Sequence, residues 1–380
     1  MKKFLTTFIA ALAVVALATT ALAEEKNWAP VKPKFPKAGD FLTLTADLHQ
    51  HTVFSDGCVW PTTRVEEAQR EGVDVIALTD HIEYTPNKDI VLPVLSRPYE
   101  IALPEAKKRD VILIPGLEIT RGTYMSTEDP IKHIVALFLK DFDALRTEKM
   151  KDAVYAAADQ GAFLFWAHPQ WGQPSKKSEW FPEMDEFLDK GILKGFEVLN
   201  EDDYQPVVID WCQKHKVAMM GNTDIHAVAA YILDWTKGEH RPMTLIFAKE
   251  RTLDSVKEAL FAGRTAVYRF QFDGPDQVIG NEELLRPMLQ NGLSVQPNIK
   301  VGQPIVGTPM QVTLKNNFPF ELQLKRTDYR WIDVPETLAI LRRVKGYGDL
   351  PNPQTTVSEP LARQGLTLQP SKGYPFSPEG

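Results

Sequence analysis

Residues 42–57 read LTLTADLHQHTVFSDG, a strand-like run that ends in a His-x-His pair and a short polar loop. Side chains two positions apart on a strand point to the same side, so His49 and His51 can reach one metal ion from the strand end. The loop at residues 52–57 can turn Asp56 back toward the same space. This stretch predicts a β-strand whose carboxyl end carries a metal site.

Further metal-binding side chains follow the ends of later predicted strands. We predict strands at residues 44–49, 74–79, 111–118, 133–139, 162–167, 194–199, 217–222 and 244–248. Six of the chain's eight histidines belong to the resulting set of candidates, and an unrelated scatter would not place them at strand ends. The nine candidate metal ligands are His49, His51, Asp56, His81, Glu118, His133, His168, Asp224 and His226.

Helical patterns alternate with these strands and define the predicted fold class. Helices are predicted at residues 61–71, 148–159, 203–215 and 252–262, with proline near the start of the first and glycine after its end. Repeated strand-then-helix units favour parallel strands. We therefore predict an α/β TIM-like barrel over residues 42–275, with its site at the carboxyl ends of the strands.

The remaining segments have different textures. Residues 1–23 combine two early lysines, an apolar run and a small-x-small motif, which predicts a signal peptide and a periplasmic or secreted protein, with an uncleaved anchor as the alternative. A linker is predicted at residues 24–41. Residues 276–345 predict a small β-rich accessory domain that begins with a helix, and residues 346–380 an extended or disordered tail.

Charge and cysteine content limit which molecules the protein is predicted to bind and whether it contains a disulfide. A net charge of −7 argues against binding of nucleic acid, and beyond residues 1–23 no stretch is apolar enough to predict a stable membrane span. Cys58 and Cys212 are predicted to be buried or partly buried unpaired thiols, although export permits a disulfide and Cys58 could serve as a soft metal ligand. The oligomeric state cannot be read from the sequence.

The ordered motifs resemble those of the PHP family, named for bacterial DNA polymerases and histidinol phosphatases. They are DLHQHT at 47–52, SDG at 55–57, TDH at 79–81, GLE at 116–118, AHP at 167–169 and DIH at 224–226. The resemblance covers roughly residues 44–267, and the wording at 79–84 is similar to an exported branch of the family. It implies a distorted (β/α)7-type barrel and a trinuclear site.

The resemblance also implies how the nine side chains divide among three ions. It assigns His49, His51, Glu118 and Asp224 to one ion, Glu118, His133 and His168 to a second, and Asp56, His81 and His226 to a third. Six imidazoles and three carboxylates favour zinc, manganese or iron over calcium or magnesium. A hydroxide bridging two ions would attack the substrate, so no protein nucleophile is expected.

Several other side chains are candidates for supporting roles. Asp80 could orient an imidazole or cap the next turn. His215 lies in a predicted helix on the far side of the barrel, so it is expected not to be a ligand. Trp166 is expected in the core, whereas Tyr84 and the tryptophans of the loop after His168 could wall a pocket. Candidate substrate-binding residues are Arg121, Lys132, His240 and Arg241, each of which could equally be an ordinary solvated cation.

Three functions remain open from the sequence. A phosphoesterase, acting on a phosphorylated small-molecule monoester or diester, fits the motifs best. The same metal site could instead hydrolyse a carboxylic ester, carbamate or amide. A non-catalytic metal-containing binding module is the third possibility, against which the complete ligand set argues.

Overall fold

The computed structural model describes residues 32–235, 238–271, 276–298, 310–320, 322–325, 337–340 and 356–359. The predicted signal peptide lies outside these ranges, and its export role stays a prediction. Within the described part of the chain, every helix is too short or too polar to cross a bilayer.

Strands and helices alternate through most of the chain. The strands are β1 (Leu42–Asp47), β2 (Val75–Leu78), β3 (Ile112–Arg121), β4 (Lys132–Leu137), β5 (Phe163–Ala167), β6 (Leu193–Asn200), β7 (Asp203–Tyr204), β8 (Ala218–Asn222), β9 (Met243–Ala248), β10 (Thr265–Arg269) and β11 (Gln277–Gly280). The helices are α1 (Pro61–Glu71), α2 (Arg97–Arg109), α3 (Met150–Asp159), α4 (Pro182–Asp189), α5 (Pro206–His215), α6 (Ala229–Ile232), α7 (Leu253–Phe261) and α8 (Glu282–Gly292), with a 3-10 turn at Asp143–Leu145.

These eleven strands form one curled sheet with the order β11-β10-β9-β1-β2-β3-β4-β5-β6-β7, and β8 pairs with β6. Strands β1, β2 and β3 are parallel, as are β5, β6 and β8. The mixed α/β class and the curled sheet agree with the sequence-based prediction. The count of seven strand–helix units stays a prediction.

The expectation of parallel strands was wrong for two of the predicted strands. Strand β4 is antiparallel to both β3 and β5, and β9 is antiparallel to β1 and β10. Residues 122–131 join β3 to β4 without a helix, and a short connection of this kind makes the two strands antiparallel neighbours. Helix α2 was not predicted because Pro104 interrupts its pattern.

At the open side of the curled sheet, β8 contacts strands β9 and β10 through side-chain hydrogen bonds, with no backbone ladder between them among the described residues. Thr265 Oγ1 accepts from the Met219 amide at 3.0 Å, and Thr244 Oγ1 accepts from the Gly221 amide at 2.9 Å. Glycine is required at 221 because a Cβ there would lie 2.4 Å from Val267 Cγ1. These contacts bring the carboxyl end of β8 beside that of β1.

Apolar side chains fill the barrel and the layer between sheet and helices. Leu44, Val75, Ile114, Phe165 and Met220 belong to the cluster of buried side chains inside the barrel. Because strands alternate their faces, Trp166 points the other way and packs beneath the helices, as predicted. The interior core supports the strand ends where the candidate ligands lie.

Beyond the barrel, short strands pair with one another. Strands β12 (Leu293–Asn298), β13 (Met310–Asn316) and β16 (Thr356–Glu359) form one antiparallel sheet, and β14 (Leu322–Lys325) pairs with β15 (Thr337–Ile340). Strand β11 is hydrogen bonded to β10, so the main sheet continues past residue 275. Strand β16 falls within the predicted tail, most of which lies outside the described residues.

Candidate metal centre

The first and eighth strands meet just beyond their ends and bring the two His-containing motifs together. The amide of Asp224 donates to the His49 carbonyl at 2.9 Å, and the amide of His51 donates to the Ile225 carbonyl at 3.1 Å. The fully buried Arg64 of α1 fastens this junction, since its guanidinium donates to the carbonyls of His51 and Ile225. Arg64 was not predicted from the sequence.

The nine candidate ligands all lie at one end of the barrel, as predicted, and we name three groups among them. The three names follow the division among ions that the resemblance implies. Pocket A is His49, His51, Glu118 and Asp224; pocket B is Glu118, His133 and His168; pocket C is Asp56, His81 and His226. Pocket A, and pocket C together with His51, are groups whose ligand atoms lie within 4.8 Å of one another, whereas Glu118 and His133 of pocket B group with His81, and His168 groups with His49 and Glu197. That these residues bind ions remains a prediction.

Pocket A is a compact group of two imidazoles and two carboxylates. One atom from each of its four side chains lies within 4.8 Å of every other. His51 Nε2 is 2.9 Å from Asp224 Oδ1 and 3.2 Å from Glu118 Oε2. His49, His51 and Glu118 are fully buried. The group thus offers one cation two imidazole nitrogens, which can bind a metal when the rings are neutral, and two carboxylate oxygens.

Glu118 connects pocket A to pocket B through its two oxygens. Its Oε2 faces His49 Nε2 and His51 Nε2, each at 3.2 Å. Its Oε1 lies 2.6 Å from His133 Nδ1 and 3.4 Å from His168 Nε2. A carboxylate with one oxygen toward each group is the geometry expected of a ligand shared by two ions.

Pocket C is the most accessible of the three. Asp56 Oδ1 lies 3.3 Å from His226 Nε2, and Asp56 Oδ2 lies 3.7 Å from His81 Nε2. The Asp56 and His226 side chains are 23% and 36% exposed, whereas Glu118 is fully buried. His51 also reaches this group, and His81 also falls in a group with Glu118 and His133, so the pockets adjoin.

Many of the atoms that face into the centre have no hydrogen-bond partner among the described residues. The unpartnered buried atoms of the nine candidates are His49 Nε2, His51 Nε2, Asp56 Oδ1, Glu118 Oε2, His133 Nε2 and Asp224 Oδ1. Buried polar atoms are normally satisfied, and leaving one unsatisfied is costly. The imidazole and carboxylate ligand types and these unpartnered atoms both fit divalent transition-metal ions.

Buried acceptors orient the imidazoles so that the other ring nitrogen faces the centre. Glu197, which was not predicted, places Oε1 3.3 Å from His49 Nδ1. Ser55 Oγ lies 3.2 Å from His51 Nδ1, and the Asp224 carbonyl lies 2.6 Å from His226 Nδ1. An acceptor at Nδ1 keeps the proton there and leaves Nε2 free to bind a metal.

The predicted orienting role of Asp80 runs through Ser55 rather than directly to a ring. Asp80 accepts from the Thr52 amide and hydroxyl and from the Ser55 amide and hydroxyl at 2.6–3.1 Å. It thereby shapes the loop that carries Asp56. Because the Ser55 hydroxyl donates to Asp80, its oxygen can accept from His51 Nδ1.

The carboxylates and imidazoles strongly shift one another's pKa values. Burial lowers the pKa of His51, but Asp224 and Glu118 outweigh it and raise the pKa to about 10. Burial dominates at His81, where the pKa falls to about 3 despite Glu118. Burial raises the pKa of Asp56, yet its histidine neighbours bring it down to about 2. These opposing shifts show how closely charges are packed in the centre.

Two ligand-bearing turns have unusual backbone. His168 and Asp224 have φ angles of 26° and 50°, in the left-handed region that non-glycine residues rarely adopt. Such strain persists only where the surrounding structure enforces it, and it concentrates at functional sites. Here two hydrogen bonds hold the turns. The Asp224 amide donates to the His49 carbonyl, and the His168 amide donates to the Glu197 carboxylate.

Two of the predicted substrate-binding cations face protein groups instead. Lys132 alternates with His133 on β4 and therefore points outward, where its Nζ lies 2.9 Å from Glu183 Oε1. Arg241 is fully buried and pairs with Glu71 and with Asp47 Oδ2. Neither cation faces the metal centre, so the structure does not support a substrate contact for Lys132 or Arg241, and that role stays a prediction.

The other two predicted substrate contacts have different surroundings. Arg121 pairs with Glu83 and donates to the carbonyls of Thr120 and Thr147, so a phosphate contact would require it to exchange partners. His240 lines a cavity of about 750 Å³. Thr223 and Ile225, which flank Asp224, share this wall, so the cavity adjoins the centre although none of the nine candidates lines it. A substrate role for Arg121 or His240 stays a prediction.

The remaining histidine and the cysteines lie outside the centre. His215 stacks on Trp180 with ring centroids 5.1 Å apart and belongs to none of the metal-capable groups found in the described residues, as expected. Cys58 and Cys212 are free thiols and Cys212 is buried, as predicted, but Cys58 is exposed, so the expectation of burial was wrong for it; Cys58 also lies outside those groups.

A curled α/β barrel with clustered histidines and carboxylates at its strand ends defines the class of metal-centred barrel hydrolases. The chain is 36% identical, with a TM-score of 0.75, to a two-domain protein from Bacteroides vulgatus that contains a predicted PHP-like metal-dependent phosphoesterase; the match covers 87% of this chain and 90% of that one. The chain therefore belongs to the PHP-like metal-dependent phosphoesterase family, which confirms the resemblance.

More distant similarities add little. A putative metal-dependent phosphoesterase from Bifidobacterium adolescentis is 17% identical, with a TM-score of 0.39, over 57% of this chain and 96% of that one. An uncharacterised protein of Methanocaldococcus jannaschii is 38% identical over 76 residues, which span 20% of this chain and 33% of that protein. No family model matches the chain.

Proposed function

We propose that this protein is a metal-dependent phosphoesterase that binds three divalent transition-metal ions, one in each of pockets A, B and C, and hydrolyses small-molecule phosphate esters. Family membership supports metal-dependent hydrolysis. The ligand types favour zinc, manganese or iron. Residues 1–23 support action outside the cytoplasm, in the periplasm or the surrounding medium.

The observation that carries the proposal is the set of buried, unpartnered ligand atoms in the centre. His49 Nε2, His51 Nε2 and Glu118 Oε2 approach one another within ion-pair distance, yet none has a hydrogen-bond partner among the described residues. Their contacts with one another are those of imidazole–carboxylate ion pairs, which require a protonated ring, whereas bound cations would satisfy the same atoms with neutral rings.

Bound ions would act as Lewis acids that lower the pKa of water and offset the charge of a phosphoryl group. The protein's own contribution is to hold the ligands in place. Glu197 and Ser55 orient the His49 and His51 rings, and the full burial of His49, His51 and Glu118 keeps bulk water from that side of pocket A. The partly exposed Asp56 and His226 leave pocket C as the entrance for substrate.

The proposal is tested by metal removal and reconstitution of the full chain. Chelated protein is assayed alone and after addition of zinc, manganese or iron, with p-nitrophenyl phosphate, bis-p-nitrophenyl phosphate and p-nitrophenyl acetate. We expect activity on a phosphate ester only after metal is restored, with about three ions per chain by elemental analysis.

Matched histidine variants provide the control. His51→Asn should lose ions and at least about 100-fold in activity, whereas His215→Asn, outside the centre, should keep both. Full activity of chelated protein would overturn the proposal. Faster turnover of the acetate than of either phosphate would instead favour a carbon-ester hydrolase.

A further inference from the structure

Two large aromatic side chains stand exposed beside pocket B. Trp171 is 46% exposed and Tyr124 is 59% exposed. Trp166, five residues before Trp171, is 1% exposed in the core. Solitary exposed apolar side chains are common on proteins, but these two rings contact each other with centroids 5.1 Å apart. They form a small aromatic surface, which we name the Tyr–Trp platform.

The platform is continuous with the candidate metal centre. The Trp171 ring lies 4.9 Å from the His133 ring and 5.7 Å from the His168 ring, centroid to centroid. His133 and His168 are the two imidazoles of pocket B. A group attached to a phosphoryl unit in pocket B would therefore meet the platform at its first few atoms.

The two loops that carry the platform are fixed to each other. The amide of Met125 donates to the Gly172 carbonyl at 2.7 Å, and the amide of Trp171 donates to the His168 carbonyl at 2.9 Å. Gly172 has a φ of 70°, and a Cβ there would lie 2.4 Å from Ile131 Cγ2 and 3.1 Å from Tyr124 Cδ2. The backbone segments that carry the two rings are thus fixed relative to each other before any ligand arrives, which lowers the entropic cost of binding.

We propose that the Tyr–Trp platform binds a planar aromatic group on the alcohol part of the substrate, so that the preferred substrates are phosphate esters of ring-bearing alcohols. This inference rests on the proposed function, because it places the phosphoryl group at pocket B. It assigns Trp171 and Tyr124 as specificity-determining residues rather than catalytic ones.

The surroundings favour a neutral ring over other groups that aromatic side chains bind. An ammonium group could also lie against Trp171, but it would be close to a centre built to hold cations and would be repelled. An aliphatic chain would gain only from the burial of area, whereas offset or edge-to-face ring pairs gain additionally from their charge distribution. A planar aromatic ring gains both from the burial of its area and from the favourable charge distribution of the ring pair.

Binding of non-hydrolysable phosphonates to the metal-loaded full chain tests the inference without relying on turnover. Isothermal titration compares phenylphosphonate, cyclohexylphosphonate and methylphosphonate. We expect phenylphosphonate to bind roughly tenfold more tightly than methylphosphonate and severalfold more tightly than cyclohexylphosphonate. Trp171→Ala should abolish the preference for phenylphosphonate over methylphosphonate, and Trp171→Phe should retain part of it.

Two controls keep the result interpretable. Trp60→Ala removes a tryptophan that is 47% exposed and contacts Phe54 rather than a histidine, and it should keep the phenyl preference. Tyr124→Ala gives a second test of the platform if Trp171→Ala fails to fold or to load metal. The metal content of each variant is measured first.

The outcomes separate the two proposals. Equal affinity for phenylphosphonate and methylphosphonate would overturn the platform while still supporting a phosphoryl site. Equal affinity for phenylphosphonate and cyclohexylphosphonate, or a preference kept in both the Trp171→Ala and Tyr124→Ala variants, would also overturn it. Failure of all three phosphonates to bind the loaded protein would overturn the proposed function together with the platform.

Discussion

The Ser55 hydroxyl donates to Asp80 Oδ1 at 2.6 Å, and its oxygen, Ser55 Oγ, lies 3.2 Å from His51 Nδ1. A carboxylate that is not itself a candidate ligand thus acts on a ring through an intervening hydroxyl. The chain of contacts links the ends of β2 and β1. It also explains why the loop between Thr52 and Asp56 is rigid enough to present a carboxylate to pocket C.

Asp80→Asn should weaken metal binding by about 10- to 100-fold with little change in fold, because the amide replaces an acceptor that four donors share. Competition with a chromogenic chelator measures the affinity. Asp89→Asn, on the exposed surface, is the matched control. Unchanged affinity in Asp80→Asn would show that the loop holds its shape without this carboxylate.

Glu197→Gln should both destabilise the protein and impair its metal content. Glu197 is buried and accepts from the His168 amide, Asn200 and Asn222 while facing His49 Nδ1. The NH2 group of a glutamine would face N–H donors that now bond to the Glu197 carboxylate. We therefore expect the free energy of unfolding to fall by about 1–3 kcal/mol. Urea denaturation of the metal-free protein measures this loss, and elemental analysis measures the ions. Wild-type stability with full metal content would contradict the orienting role.

Metal binding should release protons at pH 7.5. In the metal-free protein the carboxylates raise the pKa of His51 to about 10, against the effect of burial, so this ring is protonated there. An ion needs the deprotonated ring, and affinity should therefore increase as the pH rises toward 10. Titration calorimetry in two buffers of different ionisation enthalpy measures the released protons. Identical heats in both buffers would rule the prediction out.

Arg241→Met should affect stability rather than substrate binding. The guanidinium is fully buried between Glu71 and Asp47, and its loss would leave two buried carboxylates without the cation that pairs with them. We expect a decrease of about 3–5 kcal/mol in the free energy of unfolding. The KM of protein that still folds should stay near the wild-type value. A raised KM with unchanged stability would restore the substrate-binding hypothesis.

The positions of the candidate ligands could be predicted because they depend on local sequence. His49 and His51 share a strand face through the two-residue period, and each strand end follows its apolar run. Trp166 could be assigned to the core for the same reason. The two-residue period of the strands and the order of the strand ends along the sequence were sufficient to predict that all nine candidate ligands lie together at one end of the barrel.

Partners supplied from far along the chain could not be predicted. Whether Lys132 or Arg241 faces a substrate depends on which acid comes beside it, and Glu71 lies 170 positions from Arg241. The antiparallel placement of β4 depends on a helix-free connection. Glu197 did leave a signal, since an acid within the apolar run GFEVL of β6 must be paired when the strand is buried.

The junction between β1 and β8 fixes the order of events in the biogenesis of the centre. Leu48 and Asn222, which join there by a 2.8 Å hydrogen bond, are 174 positions apart. A nascent chain that ends before Asp224 therefore holds only three of the four side chains of pocket A, and His226 is still missing from pocket C. Under the proposed function, complete loading with ions would follow the docking of the β8 end beside the β1 end, so metal uptake would report a late stage of folding.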